Sequence, residues 1–379
     1  MAKFETFKTA IIGCGMISEM YMGNLCNFFK ITEVVGCSDL IPERSKKRAD
    51  QFNIKQMTNE EILSNPDIKI VVNLTDPKSH YEVTKAAFNA GKHVYCEKMM
   101  AVTLAEGEEL YALAKQKKLA YTMAPDSFLG AAVQTARWVI DSGMIGMPVM
   151  MNGYCQRSYL LDRGDDEIRM IHKEGGGIPF DMGGYFIHSF INFFGPIEKV
   201  SGFTRNINEN RKFLNPHNPR YGDDYREPSI NTMVTSMKFK SGMLGTFIIT
   251  SESVNAIHKI EVTGTEGTLF IGDPSAFSCN VSVKKPKNPE PLVIPYTHAF
   301  TEQPFRGIGV VDMAYAVKNN RKPRADAEIG LQAFELVHKV WESTTTGLTY
   351  TLKHVPERPA AMPATILSSQ CAEGTMDHA

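Results

Sequence analysis

The chain has 379 residues, of which 43% are hydrophobic and 22% are charged, and its formal net charge is −1. This composition is typical of a folded globular protein with more than one domain, and it excludes an intrinsically disordered chain. The nearly balanced charge gives no electrostatic reason to expect nucleic acid or a membrane surface as a partner.

Cysteine usage and the N-terminal residues indicate the cytoplasm. The seven cysteines are odd in number and never form a C-x-x-C pattern, which favours reduced thiols over a disulfide or zinc framework. The N-terminal segment lacks a signal-peptide apolar region, and no apolar run approaches the ~20 residues of a membrane span. We therefore expect a cytoplasmic protein with no membrane association.

Residues 8–18 predict a short apolar strand, a turn of the pattern Gly13-x-Gly15, and a helix. A helix N-terminus presents free backbone N–H groups and the positive end of the peptide dipoles, so it can bind a phosphate without a basic side chain. Gly13 allows the turn to close, Gly15 allows the backbone to approach a pyrophosphate, and Ser18 is small enough for the helix to pack on its strand. An ordinary strand–turn–helix without a ligand is the alternative.

The second predicted strand, 31–38, ends at Asp39, about 20 residues beyond the glycine turn. An acidic residue in that position hydrogen-bonds the adenine ribose hydroxyls of a bound dinucleotide and repels a 2′-phosphate. NAD is therefore favoured over NADP. Two alternatives stay open: Asp39 caps the helix that begins near Pro42, or Arg44 accepts a 2′-phosphate.

Strands and helices alternate up to residue 124. Further strands are predicted at 68–74, 91–98 and 119–123, with helices at 42–52, 60–63, 79–90 and 103–116. This alternation predicts an α/β domain over 1–124, in which a doubly wound parallel sheet is covered by helices on both faces. Ligands bind beyond the carboxyl ends of such strands, so we expect Asp39, Thr75 and Lys98 to converge on one crevice.

The pattern changes after residue 125. A helix is predicted at 131–141 and another at 181–194, and alternating apolar segments at 233–239, 245–251, 259–262 and 268–271 predict antiparallel strands. We expect an α+β domain over 125–354, built on a large open, mainly antiparallel sheet. One face of that sheet is available as an interface in a homodimer, homotetramer or larger homo-oligomer. The tail 355–379 is rich in Pro and Ala and is expected to attach loosely.

Lys98, which follows Glu97 at the end of a buried strand, is the first candidate for chemistry. A partly desolvated lysine beside a positive nicotinamide ring would have its pKa lowered toward neutrality and could deprotonate a substrate hydroxyl. The alternative is a surface lysine that pairs with Glu97.

The Gly-rich run 175–177 leads into the second candidate. If 181–194 is helical, Asp181, Tyr185 and His188 lie on one face of the helix. The alternative is that Tyr185 and His188 are semi-buried residues with one hydrogen bond each. A metal site through His172 and His188 is not expected, because no carboxylate lies at a familiar ligand spacing.

These motifs together resemble the Gfo/Idh/MocA family, which includes glucose–fructose oxidoreductase and inositol dehydrogenase. The resemblance covers essentially the whole chain and rests on the glycine turn, Asp39, Thr75-Asp76-Pro77 with His80, Glu97-Lys98, the Gly-rich run into Asp181, and the segment from Arg306. It implies a nicotinamide dinucleotide in the first domain and a second domain that covers it and mediates oligomers. It also implies that Lys98 is the active-site lysine and Asp181 the active-site aspartate. The cofactor-binding residues expected on these grounds are Gly13, Gly15, Met16, Ile17, Ser18, Asp39, Arg44, Thr75, Asp76, Pro77, His80, Glu97 and Lys98.

The chain departs from the family pattern at two positions. The family's Glu-Lys-Pro reads Glu97-Lys98-Met99 here, and its catalytic histidine is replaced by Tyr185. Members similar to glucose–fructose oxidoreductase carry Tyr in that position, which implies that Tyr185 acts with Lys98 and Asp181 in catalysis. His188 is then expected to be a substrate contact.

Residues 124–137 and the Asp181-to-Tyr185 helix are similar to a narrower subgroup, gut-bacterial oxidases of the glucose 3-hydroxyl of plant C- and O-glycosides. This similarity implies a 3-keto sugar product, which a separate glycoside-cleaving enzyme can then process. The sugar contacts considered in addition to His188 are Asp126, Tyr154, Gln156, Arg157, His172 and His298. A dehydrogenase of a free cyclitol or monosaccharide, and a non-catalytic sugar- or NAD-sensing regulator, are the alternatives.

Overall fold

A computed structural model describes residues 6–158, 176–301, 304–365 and 368–378. The first part of the chain contains the strands β1 (Phe7–Ile12), β2 (Thr32–Ser38), β3 (Lys55–Gln56), β4 (Ile70–Asn73), β5 (His93–Cys96) and β6 (Tyr121–Met123). Its helices are α1 (Ser18–Asn27), α2 (Pro42–Phe52), α3 (Asn59–Ser64), α4 (Pro77–Asn89) and α5 (Leu104–Lys117). The strands form one parallel sheet in the order β3-β2-β1-β4-β5-β6, which confirms the predicted doubly wound domain.

Local sequence signals explain where the helices of this domain begin. Thr58 and Thr103 each start a helix with a capping box, in which the threonine hydroxyl and the glutamate three residues later satisfy each other's backbone N–H groups. Pro77 is the first residue of α4, where a missing N–H group costs nothing. Strand β4 is buried at all four positions, as expected of a strand covered on both faces.

The second part of the chain is built on a larger sheet. Its strands are β7 (Pro148–Ser158), β8 (Ile197–Arg205), β11 (Thr232–Phe239), β12 (Leu244–Thr250), β13 (Glu252–Gly264), β14 (Thr268–Ile271), β15 (Val281–Lys284), β16 (Leu292–Val293) and β17 (Tyr350–Thr351). They follow the order β16-β15-β14-β13-β7-β12-β11-β8-β17, and only β7 and β12 pair in parallel. Strands β9 (Asn210–Lys212) and β10 (Asp224–Arg226) form a separate hairpin. The predicted mainly antiparallel sheet is confirmed.

Helices cover one face of this sheet and also form much of the C-terminal part of the chain. They are α6 (Ala131–Asp141), α7 (Ile178–Asp181), α8 (Gly183–Phe194), α9 (Ile308–Lys318), α10 (Ala327–Thr346) and α11 (Ser369–Ala372). Phe186 and Phe190 of α8 pack on Phe247 of β12 with ring centroids 5.1 and 5.5 Å apart. None of the helices in the described part of the chain is long and apolar enough to cross a lipid bilayer.

The C-terminal tail is held firmly by both domains, so the expectation of a loose tail is wrong. Arg137 of α6 donates to the carbonyl of Pro359 at 2.6 Å. The buried carboxylate of Glu373 accepts from the backbone N–H groups of Lys30 and Ile31 at 2.8 to 3.0 Å. These contacts satisfy buried polar groups that would otherwise be left without partners.

Candidate active site

A lysine, an aspartate and a tyrosine meet where β5 ends. Lys98 Nζ lies 3.2 Å from Asp181 Oδ1 and 5.6 Å from the centroid of the Tyr185 ring. The two ion-pair side chains are 23% and 12% exposed, so they are shielded but still open to a ligand. The structure thus brings together all three residues that were predicted to be catalytic. It also shows that the Lys98–Met99 peptide bond is cis.

A break between two helices places the aspartate and the tyrosine. The prediction of one continuous helix over 181–194 is wrong, because α7 ends at Asp181 and α8 begins at Gly183. Gly184 packs closely on Pro125, since a Cβ there would lie 3.2 Å from the proline ring. Tyr185, in the first turn of α8, is only 4% exposed.

Lys98 keeps its positive charge in this environment. Burial lowers the pKa of Lys98, but Tyr185, Asp181 and Glu97 outweigh burial and raise that pKa above its ordinary value. A carboxylate at ion-pair distance stabilises the charged form. The predicted fall of the pKa of Lys98 toward neutrality depends on a positive nicotinamide ring beside the lysine, and it stays a prediction.

Glu97 belongs to a buried network behind the lysine. Its Oε1 accepts from the Tyr21 hydroxyl at 2.7 Å, and its Oε2 accepts from the backbone N–H of Lys98 at 3.0 Å. The hydroxyls of Tyr21 and Tyr95 lie 2.9 Å apart. Burial raises the pKa of Glu97, but Lys98 and Arg306 reverse this and hold that pKa below its usual range. Glu97 therefore holds the backbone of Lys98 and places a negative charge behind it.

Arg306 is a site residue to which the sequence assigned no role. Its Nη2 donates to the Tyr185 hydroxyl at 2.7 Å, and its Cζ lies 5.4 Å from the centroid of the Tyr185 ring. The sequence feature that could have identified Arg306 is its position between Phe305 and Gly307, just before an apolar helix. Tyr21 was missed for a different reason, because in sequence it is one of several apolar residues on α1.

Asp126 is corrected from a sugar contact to a structural anchor. It is fully buried, and its Oδ2 accepts from the backbone N–H groups of Gly307 and Gly309 at 2.8 and 3.1 Å. These amides belong to the beginning of α9, so the carboxylate serves the helix N-terminus. Burial raises the pKa of Asp126 above its ordinary value, while Arg306 and both amides oppose that rise.

His188 and His298 are both buried and bonded to the protein. His188 also lines a small cavity together with Lys98, so its role as a substrate contact stays a prediction. His188 Nδ1 lies 3.2 Å from the carbonyl oxygen of Pro125, and burial lowers its pKa to about 4. His298 Nε2 lies 3.1 Å from the carbonyl oxygen of Met362 in the tail. Each imidazole thus fills a structural position, and neither makes a described contact with Lys98.

Strand alternation separates the sugar contacts predicted on β7. Arg157 lies on the same face as buried Cys155, and its Nη1 lies 3.9 Å from the sulfur of Met182, next to Asp181. Tyr154 and Gln156 point to the opposite, outer face, because successive side chains alternate along a strand. Within this chain Tyr154 and Gln156 therefore do not face the crevice. His172 lies outside the described residues.

The glycine turn fits a dinucleotide phosphate. Gly13 has φ +102°, and a Cβ there would lie 2.5 Å from the backbone of Leu74. At Gly15, by contrast, no described atom lies within 4 Å of an added Cβ, so the backbone is open to a ligand. The carboxylate of Asp39 accepts from the N–H groups of Cys14 at 2.6 Å and Ile41 at 2.8 Å. Each oxygen keeps acceptor capacity for a ribose hydroxyl.

The remaining predicted cofactor residues divide into exposed and structural positions. Met16 is 79% exposed at the turn, and Arg44 is exposed on α2. Three others lie along the sheet edge but serve the fold: Asp76 caps α4, Pro77 begins it, and His80 bonds the carbonyl oxygens of Thr75 and Met99. Thr75 lies at the carboxyl end of β4, beside the glycine turn. Ile17 is partly buried, and Ser18 is buried with its hydroxyl on the carbonyl of Gly15.

Comparison with known proteins identifies the same two domains. Residues 7–124 match the model of an oxidoreductase family with an NAD-binding Rossmann fold, GFO_IDH_MocA, and residues 133–270 match the GFO/IDH/MocA C-terminal domain. Together the two matches span more than half of the chain. The first domain is therefore an NAD-binding domain, and the expectation of NAD as the cofactor is confirmed.

Curated relatives match over part of the chain. An uncharacterised oxidoreductase of Schizosaccharomyces pombe is 33% identical over 199 residues, which are 51% of this chain and 53% of that protein. The inositol 2-dehydrogenase/D-chiro-inositol 3-dehydrogenase of Lactiplantibacillus plantarum is 28% identical over 165 residues, 42% of this chain and 46% of that protein. The chain thus spans about half the length of these relatives.

A solved structure matches over nearly the whole chain. Levoglucosan dehydrogenase in complex with NADH has a TM-score of 0.80 and 19% sequence identity. The match covers 93% of this chain and 100% of that one. At this identity the likeness shows the fold.

Proposed function

Since the chain belongs to the GFO/IDH/MocA oxidoreductase family, we propose that it is an NAD-dependent oxidoreductase that oxidises a secondary hydroxyl of a sugar. The observation that carries this proposal is the Lys98–Asp181 ion pair beside Tyr185, at the carboxyl end of the sheet. Ligands of open parallel sheets bind at that end.

The turn from Gly13 to Ser18 would hold the pyrophosphate at the N-terminus of α1, and Asp39 would hold the adenine ribose. No described side chain caps the start of α1, so no side chain competes with a phosphate for this helix end. When bound, NAD supplies the acceptor for a hydride from the carbinol carbon. The protein supplies the alignment of the sugar and the placement of charge around its oxygen.

In this proposal, three side chains bind the substrate oxygen or take part in its deprotonation. Lys98 is a cation that hydrogen-bonds this oxygen and favours negative charge on it. Asp181 orients Lys98 through the ion pair and balances its charge. Because Lys98 holds its proton tightly, we assign the hydroxyl proton to Oη of Tyr185, which enters this step as the phenolate and leaves it as the neutral phenol. Two cations stabilise the phenolate: Arg306 donates to Oη, and Lys98 lies beside the ring.

The finer proposal concerns the carbon that is oxidised. We propose the 3-hydroxyl of a glucosyl group on a C- or O-glycoside, on the basis of residues 124–137 and the Asp181–Tyr185 segment. The product, a 3-keto sugar, has an acidic α-proton, so a separate glycoside-cleaving enzyme can act on it. A free cyclitol is the second candidate, because several partial relatives are inositol 2-dehydrogenases.

The outer face of the large sheet is the proposed interface between copies of the chain. Phe203 and Val234 are 68% and 46% exposed there, and they lie opposite each other on β8 and β11. Exposed apolar surface of this kind commonly marks an interface. We also propose the cytoplasm as the location, in line with the free cysteines of the described chain.

Mass spectrometry of the sugar product tests the function. Purified protein is incubated with NAD and a panel of phenyl glucosides, free glucose and inositols, and the products are fragmented after trapping of carbonyl groups. We expect a carbonyl at carbon 3 of the glucosides. A ketone formed only from free inositols would favour the cyclitol dehydrogenase, and unchanged sugars with all substrates would favour the non-catalytic sensor.

A further inference from the structure

The guanidinium of Arg306 constrains the hydroxyl of Tyr185. Nη2 donates to the phenol oxygen at 2.7 Å, and Cζ lies 5.4 Å from the ring centroid. A guanidinium has only donors, so the phenol oxygen must be the acceptor in this bond. The hydrogen of the phenol is therefore left to donate to a different acceptor.

The backbone that carries Arg306 is fixed from both domains. Asn24 of α1 donates from Nδ2 to the carbonyl oxygens of Pro304 at 2.9 Å and Arg306 at 2.8 Å. On the following residue, the N–H of Gly307 donates to Asp126 at 2.8 Å. Gly307 has φ +99°, the conformation that turns the chain from Arg306 into α9. The position of the guanidinium is thus set by contacts on either side of it.

Charges around Arg306 keep it ionised and in place. Burial lowers the pKa of Arg306, but Tyr185, Tyr21 and Glu97 outweigh burial and raise that pKa above its ordinary value. Glu97 is buried, and its carboxylate is also held by the Tyr21 hydroxyl. The oxygen Oδ1 of Asp126, for which no described partner exists, adds further negative charge near the guanidinium.

We infer that Arg306 is a positioning residue that acts through Tyr185: its hydrogen bond fixes the phenol oxygen so that the remaining side of this oxygen faces the sugar oxygen that Lys98 binds. As the phenolate, Tyr185 accepts the proton of the sugar hydroxyl at that side, and as the phenol it holds this proton there. This inference rests on the proposed function for its catalytic consequence. The contact itself does not depend on the identity of the sugar. Arg306 also links the anchors Asn24 and Asp126 to the reacting group, because both residues hold the backbone on either side of it.

The informative variant is Arg306→Lys, because it keeps the positive charge near Glu97 and Asp126 while it removes the planar donor. We expect kcat to fall about ten- to a hundredfold. The KM for the sugar and the Kd for NADH should stay within about threefold, since binding groups are unchanged. Arg358→Lys is the control, because the guanidinium of Arg358 is likewise held by hydrogen bonds within the protein, to the backbone carbonyl of Asn192 and the carboxylate of Asp141, but it has no described contact with Tyr185.

A double-mutant cycle with Tyr185→Phe separates positioning from a general structural effect. If Arg306 acts through the phenol, Arg306→Lys lowers kcat in the wild-type background but has no further effect in Tyr185→Phe. Losses that multiply in the double variant would overturn the inference. A parallel fall in thermal stability and in NADH binding would overturn it as well.

A readout without turnover keeps this test distinct from that of the proposed function. 3-Fluorotyrosine is incorporated at position 185, and its fluorine chemical shift is compared at one pH in the wild type, Arg306→Lys and Arg358→Lys. We expect the resonance to move in Arg306→Lys and to stay in place in Arg358→Lys. Identical chemical shifts in all three proteins would overturn the inference, whereas wild-type protein that oxidises no sugar would overturn the proposed function alone.

Discussion

Lys98 is the residue on which the proposed chemistry depends most. Replacing it by alanine removes the cation that binds the substrate oxygen, while the glycine turn and Asp39 stay intact. We expect Lys98→Ala to lower kcat by about a thousandfold or more, with NADH affinity within about threefold of the wild type. Stopped-flow turnover and NADH fluorescence titration measure the two effects.

The control for Lys98 is Lys85, which forms a comparable ion pair with Glu109 at 2.7 Å on the surface of the first domain. Lys85→Ala should turn over at the wild-type rate. Turnover of Lys98→Ala close to that of Lys85→Ala would contradict the assigned role of Lys98.

His188 makes the stability of the protein depend on pH. Its pKa is lowered to about 4 by burial, from 6.5 when exposed. The unfolded chain therefore binds a proton that the folded chain does not between these values, and stability falls as the pH drops through that window. Between pH 7 and 5 the wild type should lose about 2 kcal/mol that His188→Gln does not lose.

Urea unfolding at both pH values measures this difference. The exposed His217 provides the control, and His217→Gln should keep the pH dependence of the wild type. If His188→Gln and the wild type lose the same stability on acidification, then His188 is not the group that titrates.

At the scale of elements, the two glycines of the cofactor turn should fail in different ways. A Cβ at Gly13 would lie 2.5 Å from the Leu74 backbone at a φ of +102°, whereas a Cβ at Gly15 meets no described atom. Gly13→Ala should therefore cost about 2 kcal/mol or more of stability. Gly15→Ala should melt within about 2 °C of the wild type but raise the Kd for NADH about tenfold or more.

Calorimetry and NADH titration on both variants check this contrast. A Gly15→Ala protein that binds NADH as tightly as the wild type would show that the turn does not contact the cofactor. An undisturbed melting temperature in Gly13→Ala would show that the turn relaxes around a side chain.

The sequence predicted those strands and helices whose signals lie in neighbouring residues. Strands β1, β2, β4 and β5 are apolar runs bounded by turns or helix starts, so the sequence predicted them within a few residues. Strands β7 and β8 were missed, because β7 has polar residues at its outward positions and a glycine that packs under Phe190. The break at Met182 was also missed, since no turn residue stands at that position in the sequence.

The same limit applies to the active site. Lys98 was found from its position at a strand end, and helical spacing placed Asp181, Tyr185 and His188 on one face; the resemblance to the family then singled out Asp181 and Tyr185. Arg306 and Tyr21 reach the site from elements far apart in sequence, and only the fold brings them there. Asp126 was mistaken for a ligand contact, because burial is not visible in a motif.

For the whole molecule, we predict assembly through the outer face of the large sheet. Val234 lies between Phe203 and Ile248 in a row across three strands of this face. A charge in an apolar interface is costly, so Val234→Glu should yield a smaller species than the wild type. Light scattering after gel filtration measures the mass.

Ser236→Glu is the control, because Ser236 lies on the same strand and face but in a row of more polar residues. An unchanged mass for Val234→Glu would place the interface elsewhere.

The central claim is that Lys98, Asp181 and Tyr185 promote direct hydride loss from a sugar carbon to bound NAD. The most direct test uses a glucoside deuterated at carbon 3, with the protein in excess over this substrate. Mass spectrometry of the recovered dinucleotide then shows where the deuterium goes. We predict deuterium in the reduced nicotinamide for the wild type and none for Lys98→Ala in the same time. Reduced dinucleotide without deuterium would contradict oxidation at carbon 3, and equal deuterium transfer by Lys98→Ala would contradict the site itself.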